Sequence, residues 1–325
     1  MKAWCADGGH LKACEIATPI PAGGEVLIRV EAAGINRADL LQIEGKYPAP
    51  ETIQEALKNV PGLEISGFVE AIGSGMTAWK PGDAVCALLG GGGYAEYAVA
   101  PQEQLLPVPQ SYSMHEAAAL PEALFTCWQT LIMEAALQPG ETLLVHGGGS
   151  GIGTMAVQLG KWRGAKVYVT ARQEEKCALC LKLGADGVFL EPSEDFVDGI
   201  KQATGGKGAD VILDMVGGAY AGRNFKAAAP GGRIIQIALL GGAESTVPLG
   251  ALLMKRLTWR GSTLRSRSVS EKKAIRDAIL AELWPALDSG RICPILHEIH
   301  KFTEVEKALS AMKANLVVGK TVLTL

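Results

Sequence analysis

Seven residues near the middle of the chain, Gly147-Gly148-Gly149-Ser150-Gly151-Ile152-Gly153, have the composition of a loop that takes a diphosphate. Glycines let a backbone approach phosphate oxygens closely. The first N–H groups of a following helix, at the positive end of its dipole, are free to bind the anion. The spacing is Gly148-x-Ser150-x-x-Gly153, with Ser150 where a second Gly is usual in dinucleotide-binding turns. Gly149, Ser150, Gly151, Ile152 and Gly153 are therefore the candidate phosphate contacts, Ser150 with a hydroxyl to offer. About 20 residues further on, chains that bind NAD carry an acid for the ribose 2′-OH. Here Ala171 and Arg172 occupy that place. A carboxylate would repel a 2′-phosphate, whereas Arg172 can pair with one and Lys176 can assist. Glu174 and Glu175 reduce the local positive field. NADPH is the expected cofactor.

Such a turn works only if a strand leads into it and a helix leaves it. The run 142–146 is continuously apolar, as a central parallel strand should be. Behind the turn, Ile152, Met155, Ala156 and Leu159 fall on one helical face, and 166–170 reads as the next strand. Further strands are expected at 187–190, 209–214 and 232–238, alternating with helices, which predicts a doubly wound parallel sheet of the α/β class. Residues 1–115 have a different texture. Short apolar runs at 26–30 and 84–88, with turn signals at Pro81-Gly82-Asp83 and 90–93, predict a compact β domain. Residues 115–137 read as helix. After about Ser262 come a helix at 272–287 and a last strand at 319–323 that returns to the first domain. The expected division is 1–117 with 265–325, and 118–264.

With 325 residues, 48% of them hydrophobic, the chain can bury two cores. A net charge of -3 and the lack of an aromatic–basic stripe make nucleic acid an unfavoured partner. No leader pattern or span of roughly 20 apolar residues is seen, so a cytoplasmic protein without a membrane span is expected. Seven scattered Cys argue against a disulfide framework. Cys177 and Cys180, with no second pair and no nearby His, read as helix residues. His146, closing the first strand of the parallel sheet, reads as structural.

Several segments taken in order carry a family resemblance: Gly34-Ile35-Asn36-Arg37-Ala38-Asp39-Leu40-Leu41, Gly45-Lys46-Tyr47, Pro61-Gly62-Leu63-Glu64-Ile65-Ser66-Gly67, Pro81-Gly82-Asp83 and Gly91-Gly92-Gly93-Tyr94-Ala95-Glu96-Tyr97. Ala117-Ala118-Ala119-Leu120-Pro121, the glycine-rich turn, Asp214-Met215-Val216-Gly217-Gly218 and Gly261-Ser262-Thr263-Leu264-Arg265 continue it. Over nearly its whole length the chain resembles the zinc-independent medium-chain dehydrogenase/reductases of the quinone oxidoreductase (zeta-crystallin) group, and within them the tumour-suppressor-inducible quinone oxidoreductase subgroup. The resemblance implies a GroES-like β-barrel domain built from both chain ends around an inserted Rossmann domain. It also implies a homodimer or homotetramer, often joined through the Rossmann sheets.

Zinc-using relatives carry a catalytic Cys where this chain has Asn36, and Gly-His-Glu where it has Gly62-Leu63-Glu64. Their third ligand aligns near Glu122, and their four-Cys lobe has no counterpart here. A catalytic zinc needs about three convergent ligands, so none is expected. Without a Lewis acid the suitable acceptors are quinones and α,β-unsaturated carbonyls, reduced by hydride from C4 of NADPH, with a proton from water or a weak side-chain acid. By resemblance, Asn36 and Tyr47 are the catalytic candidates and also lie near the cofactor, and the Tyr47 hydroxyl is a plausible donor to developing oxyanion charge. Thr126 is expected to face the nicotinamide, with Leu239 and Leu240 lining its ring. Leu264, Arg265 and, less directly, Arg267 are expected to return towards the site, although the arginines read equally well as solvated linker charges. The segment 49–60 is longer and more charged than usual in the group. Alternatives are an enoyl reductase acting on acyl thioesters or small enals, and an NADPH-binding structural or RNA-binding protein of low turnover.

Overall fold

In a computed structural model that describes residues 1–75 and 78–325, the chain forms two compact units, 1–125 with 264–325 and 126–263. The first junction falls after Phe125 rather than near 117, because helices α2 and α3 begin within unit 1. From the amino end, α1 spans Arg37–Ile43, α2 Met114–Ala118, α3 Pro121–Cys127, α4 Gly151–Trp162 and α5 Glu174–Lys182. The region 115–137, expected as a single helix, is therefore divided. Pro121 lacks an N–H and disfavours helical geometry at Leu120, so α2 stops and α3 restarts at the proline. A π-helical stretch, Trp128–Glu134, follows.

The strands are β1 Lys2–Asp7, β2 His10–Glu15, β3 Glu25–Gly34, β4 Glu64–Ile72, β5 Ala84–Leu88, β6 Tyr97–Pro101, β7 Leu105–Pro107, β8 Thr142–His146, β9 Lys166–Ala171, β10 Gly187–Leu190, β11 Ala209–Asp214, β12 Ala228–Gln236, β13 Thr258–Gly261, β14 Leu296–Lys301 and β15 Lys320–Thr324. In unit 2 the order is β10-β9-β8-β11-β12-β13, all parallel. Every residue of β8 and β11 is buried, which explains the apolar runs 143–145 and 211–213 at their centres. The order reverses between β8 and β11, and in such sheets ligands bind outside the carboxyl ends of the strands at that point.

Unit 1 is a largely antiparallel sheet in the order β14-β15-β3-β4-β5-β7. β3 is long enough to pair with β6 through Glu25–Arg29 and with β15 through Ala32–Gly34. The carboxyl-terminal strand thus returns to the first unit, as its sequence suggested. Val26, Ile28, Val30, Ile65, Val69 and Leu323 share its core. The helix expected at 272–287 is α-helical over Val269–Ala278, π-helical over Ile279–Leu283 and α-helical again from Trp284, where Pro285 sits in a first turn and needs no N–H partner. No helix among the described residues is long and apolar enough to cross a membrane.

One cysteine pair departs from expectation. Cys5 and Cys14 lie on paired strands β1 and β2 with Cα atoms 6.2 Å apart and are joined as a disulfide. Cys177 and Cys180 are buried on α5 and, like Cys86, Cys127 and Cys293, form no disulfide. Thiol titration of the unreduced, denatured protein should therefore find five reactive thiols and, after reduction, seven. Seven before reduction would show that the bridge does not form.

Candidate functional site

The glycine-rich turn leaves the carboxyl end of β8 beside the reversal of strand order. Four of its five glycines have a steric reason. Gly147 has a positive φ of 69°. A Cβ at Gly148 would lie 2.8 Å from Val169 Cβ, one at Gly149 2.6 Å from Lys176 Cγ, and one at Gly153 2.3 Å from the Gly147 carbonyl oxygen. Ser150 is the N-cap of α4: its Oγ accepts from the Gly153 N–H at 3.0 Å and donates to Met215 Sδ at 3.4 Å. Its oxygen is thus engaged as a helix cap, which explains why Ser is accommodated where Gly is usual. The Gly149, Gly151 and Ile152 N–H groups have no partner among the described residues. Three open amides at the amino end of a 12-residue helix fit a diphosphate.

At the end of β9, Arg172 is exposed and no acid stands in its place. Lys176, in the first turn of α5, lays its stem against Gly149. On the other side of the reversal, the loops after β11 and β12 are joined by Leu240 N–H to Met215 O at 3.2 Å and Gly241 N–H to Val216 O at 2.7 Å. Leu239 and Leu240 are about half exposed there. Thr126 is buried, and its carbonyl accepts from Thr130 Oγ1 at 2.7 Å.

A buried chain holds these strand ends, and nothing in the local sequence announced it. Asp214 Oδ1 accepts from the N–H groups of Val216 (2.6 Å) and Gly217 (3.0 Å), and its Oδ2 accepts from Asn224 Nδ2 at 2.8 Å. With the amide so oriented, Asn224 Oδ1 is an acceptor, so His146 Nε2 (2.7 Å away) carries the proton and Nδ1 accepts from Thr170 Oγ1 at 3.0 Å. Burial lowers the His146 pKa and keeps the ring neutral, as that tautomer requires.

In unit 1 a second polar cluster lies where β3, β4 and β15 meet. The Lys320 ammonium, 4% exposed, donates to Ile35 O (3.2 Å), to Asn36 Oδ1 (2.7 Å) and to the carboxylate of Glu64, which is 0% exposed. Asn36 Nδ2 donates to the same Glu64 oxygen at 2.9 Å, and the Glu122 backbone N–H donates to the other at 2.9 Å. Asp39 Oδ2 accepts from the Asn36 N–H and from Tyr94 Oη, both at 2.7 Å, and Oδ1 accepts from the Gly62 N–H at 3.2 Å. Burial raises the Asp39 carboxyl from 3.8 to about 6 despite these donors.

Arg265 stands apart from its expected role. It is buried and donates from Nε to Gly90 O (2.7 Å), from Nη1 to Tyr47 O (3.0 Å) and from Nη2 to Gln42 Oε1 (2.6 Å). Its guanidinium lies 4.9 Å from the Tyr47 ring centroid. Three of its N–H donors are thus engaged within unit 1, where they clamp the Tyr47 loop. Leu264 is buried, and Arg267 pairs with Glu271 at 2.8 Å. The Tyr47 hydroxyl makes no hydrogen bond among the described residues. Burial, then the Glu122 charge, raises its pKa above 10.0 against the pull of Arg265, so the phenol remains a neutral donor.

A zinc ion does not fit this cluster. The positions that bind metal in zinc-using relatives hold an amide, Asn36, and a hydrocarbon, Leu63. The adjoining carboxylate, Glu64, is already paired with a cation that would repel a divalent ion. Among the described residues no group of three or more His, Cys, Asp or Glu side chains could hold a metal.

The GroES-like and nucleotide-binding parts define a medium-chain dehydrogenase/reductase. The family profile "Alcohol dehydrogenase GroES-like domain" matches residues 22–110, and "Zinc-binding dehydrogenase" matches 151–279. Quinone oxidoreductase of Lama guanicoe is 31% identical over 96% of this chain and 92% of its own, and that of Homo sapiens 30% identical over 90% and 87%. The structure of CurK enoyl reductase superposes with a TM-score of 0.86 at 26% identity, covering 99% of this chain and 98% of that one. The chain belongs to the zinc-independent quinone oxidoreductase family of medium-chain dehydrogenase/reductases.

The buried cluster yields a stability prediction. Asp39→Asn places an amide N–H₂ against donors and should destabilise unit 1 by about 2–4 kcal/mol in urea unfolding. Because folding raises the Asp39 pKa, the folded chain keeps its proton where the unfolded chain has released it. Its contribution therefore falls as pH rises from about 4 to about 6. The variant should lose that pH-dependent component, and an unchanged slope across this window would contradict the assignment.

Proposed function

We propose that this oxidoreductase uses NADPH to reduce quinones or related α,β-unsaturated carbonyls. The observation that carries this reading is the unit 1 cluster. The place of a metal is taken by the Lys320–Glu64–Asn36 group, and the polar group left free to meet an acceptor's oxygen is the neutral hydroxyl of Tyr47. A hydrogen-bond donor without a Lewis acid suits acceptors that are already electron-poor. The quinone oxidoreductases among its relatives support the same substrate class, and the likeness to CurK enoyl reductase supports including activated alkenes. NADPH, when bound, supplies the hydride. The open amides of Gly149, Gly151 and Ile152 would take its diphosphate, and Arg172, helped by Lys176, its 2′-phosphate. Thr126, Leu239 and Leu240 are assigned to the nicotinamide end, Asn36 to the ribose or substrate.

We further assign the working form as a homodimer or homotetramer. β13 is a sheet edge with every residue exposed, and the neighbouring helix Leu249–Lys255 exposes Leu249 by 63%, Leu253 by 75% and Met254 by 82%. Edge backbone and an apolar patch together suit pairing with a second copy.

Purified protein should oxidise NADPH with 1,4-benzoquinone and 1,2-naphthoquinone faster than with crotonyl-CoA. Arg172→Ala should raise the KM for NADPH by about tenfold or more, the worth of a charge-assisted pair, while changing that for NADH less than about twofold. Equal losses for both cofactors would remove Arg172 from the phosphate site, and no turnover with any acceptor would sink the enzyme reading.

A further inference from the structure

Unit 1 buries a cation that no anion answers. Arg265 is 7% exposed, and among the described residues no carboxylate pairs with its guanidinium. Its hydrogen-bond partners, Gly90 O, Tyr47 O and Gln42 Oε1, are all neutral. Its backbone is fixed too, because its carbonyl accepts from Lys272 Nζ at 3.0 Å. A tie between loops needs no charge, and a buried charge without a counter-ion is unfavourable. The geometry converges on one residue, Tyr47. The Tyr47 N–H donates to Leu41 O on α1 at 3.1 Å, its carbonyl accepts from Arg265 Nη1, and the guanidinium lies 4.9 Å from its ring centroid. Gln42, which receives Nη2, is itself on α1, so the guanidinium joins that helix to the loop following it. Glycine at 91 leaves room for this: a Cβ there would stand 3.3 Å from Arg265 Nη2 and 3.1 Å from Ile53 Cδ1.

We propose that Arg265 is a positioning residue for Tyr47, fixing its ring and strengthening its hydroxyl as a hydrogen-bond donor. The inference rests on the reading of Tyr47 as the donor to an acceptor's oxygen. Two properties of arginine are used. Its planar fork bonds three acceptors in different directions and still lies beside the ring, which the compact ammonium of lysine cannot do. Its charge beside the phenol polarises the O–H bond, opposing the burial and the Glu122 charge that strengthen the hold of Tyr47 on its proton. The missing counter-ion then has a reason. A carboxylate on Arg265 would cancel the field at the ring, whereas neutral oxygens hold the guanidinium in place and leave its charge uncompensated.

The test asks whether Arg265 acts through Tyr47 or only supports the fold. With a quinone acceptor, Tyr47→Phe should lower kcat by about 10²-fold. Arg265→Lys should lower it by about tenfold or more, with little change in the KM for NADPH. Introduced into Tyr47→Phe, Arg265→Lys should cost nothing further, since the hydroxyl it positions is already gone. Gln42→Leu removes one acceptor and leaves the charge. This milder variant should likewise lower kcat in the wild-type background and not in Tyr47→Phe. A second readout needs no turnover. In protein labelled with carbon-13 at tyrosine Cζ, the resonance absent from Tyr47→Phe should shift towards that of free tyrosine in Arg265→Lys. Losses that multiply in the double variants, or a Tyr47 resonance unmoved in Arg265→Lys, would overturn the proposal. A wild type that reduces no quinone defeats the reading beneath it, and the Cζ resonance then still decides whether Arg265 fixes the ring.

Discussion

The contact between the Lys320 ammonium and the Glu64 carboxylate organises unit 1. Both groups are almost entirely removed from water, which is unfavourable for each charge alone and tolerable only because they face each other and Asn36 bonds both. The pair joins β15, at the end of the chain, to β4 and to the residues following β3. From Glu64 one oxygen reaches the start of α3, and from Asn36 the backbone reaches Asp39, Tyr94 and Gly62. Gly34 lies directly against it: a Cβ there would stand 2.5 Å from both Glu64 Oε1 and the Ala118 carbonyl oxygen. An internal cation thus sits at the centre of this cluster, bonded to Asn36 and Glu64. A fixed ammonium already engaged with Glu64 and Asn36 cannot serve as an open Lewis acid.

Unit 2 uses a different device for the same purpose. Its binding turn is shaped by missing side chains, with the open amides exposed because glycine permits the close approach of Val169, Lys176 and the turn's own carbonyls. The loop beyond β11 is held by a buried relay, from Thr170 through the neutral His146 ring and Asn224 to Asp214. Its polar groups satisfy one another, so the strand ends are held without drawing on Arg172 or the open amides at the helix end.

Local pattern was enough for much of this. The apolar run of β8, the turn after it and the 3.6-residue period of α4 predicted the binding element almost residue by residue, because all three are set by short-range sterics and burial. The return of the last strand to unit 1 was also legible. Other features depend on tertiary partners that sequence order does not bring together. Lys320 and Glu64 are 256 positions apart, and Arg265 reaches Gln42 across 223, so neither the ion pair nor the clamp on Tyr47 has a local signature. The best available signals were the Gly-Lys before the last strand and the Glu following Gly62-Leu63. The cap that Ser150 supplies to α4 likewise shows only in the structure. Cys5 and Cys14 were discounted on number and spacing, whereas the β1–β2 hairpin sets their distance.

The central claim is that Lys320 and Glu64 act as one unit, each made tolerable by the other. A double-mutant cycle on the unfolding free energy of unit 1, with Lys320→Met, Glu64→Gln and the double variant, tests it most directly. Each single change should cost about 3–5 kcal/mol by stranding a buried partner. The double should cost far less than their sum, leaving a coupling of about 2 kcal/mol or more. Additivity within about 0.5 kcal/mol would contradict the account.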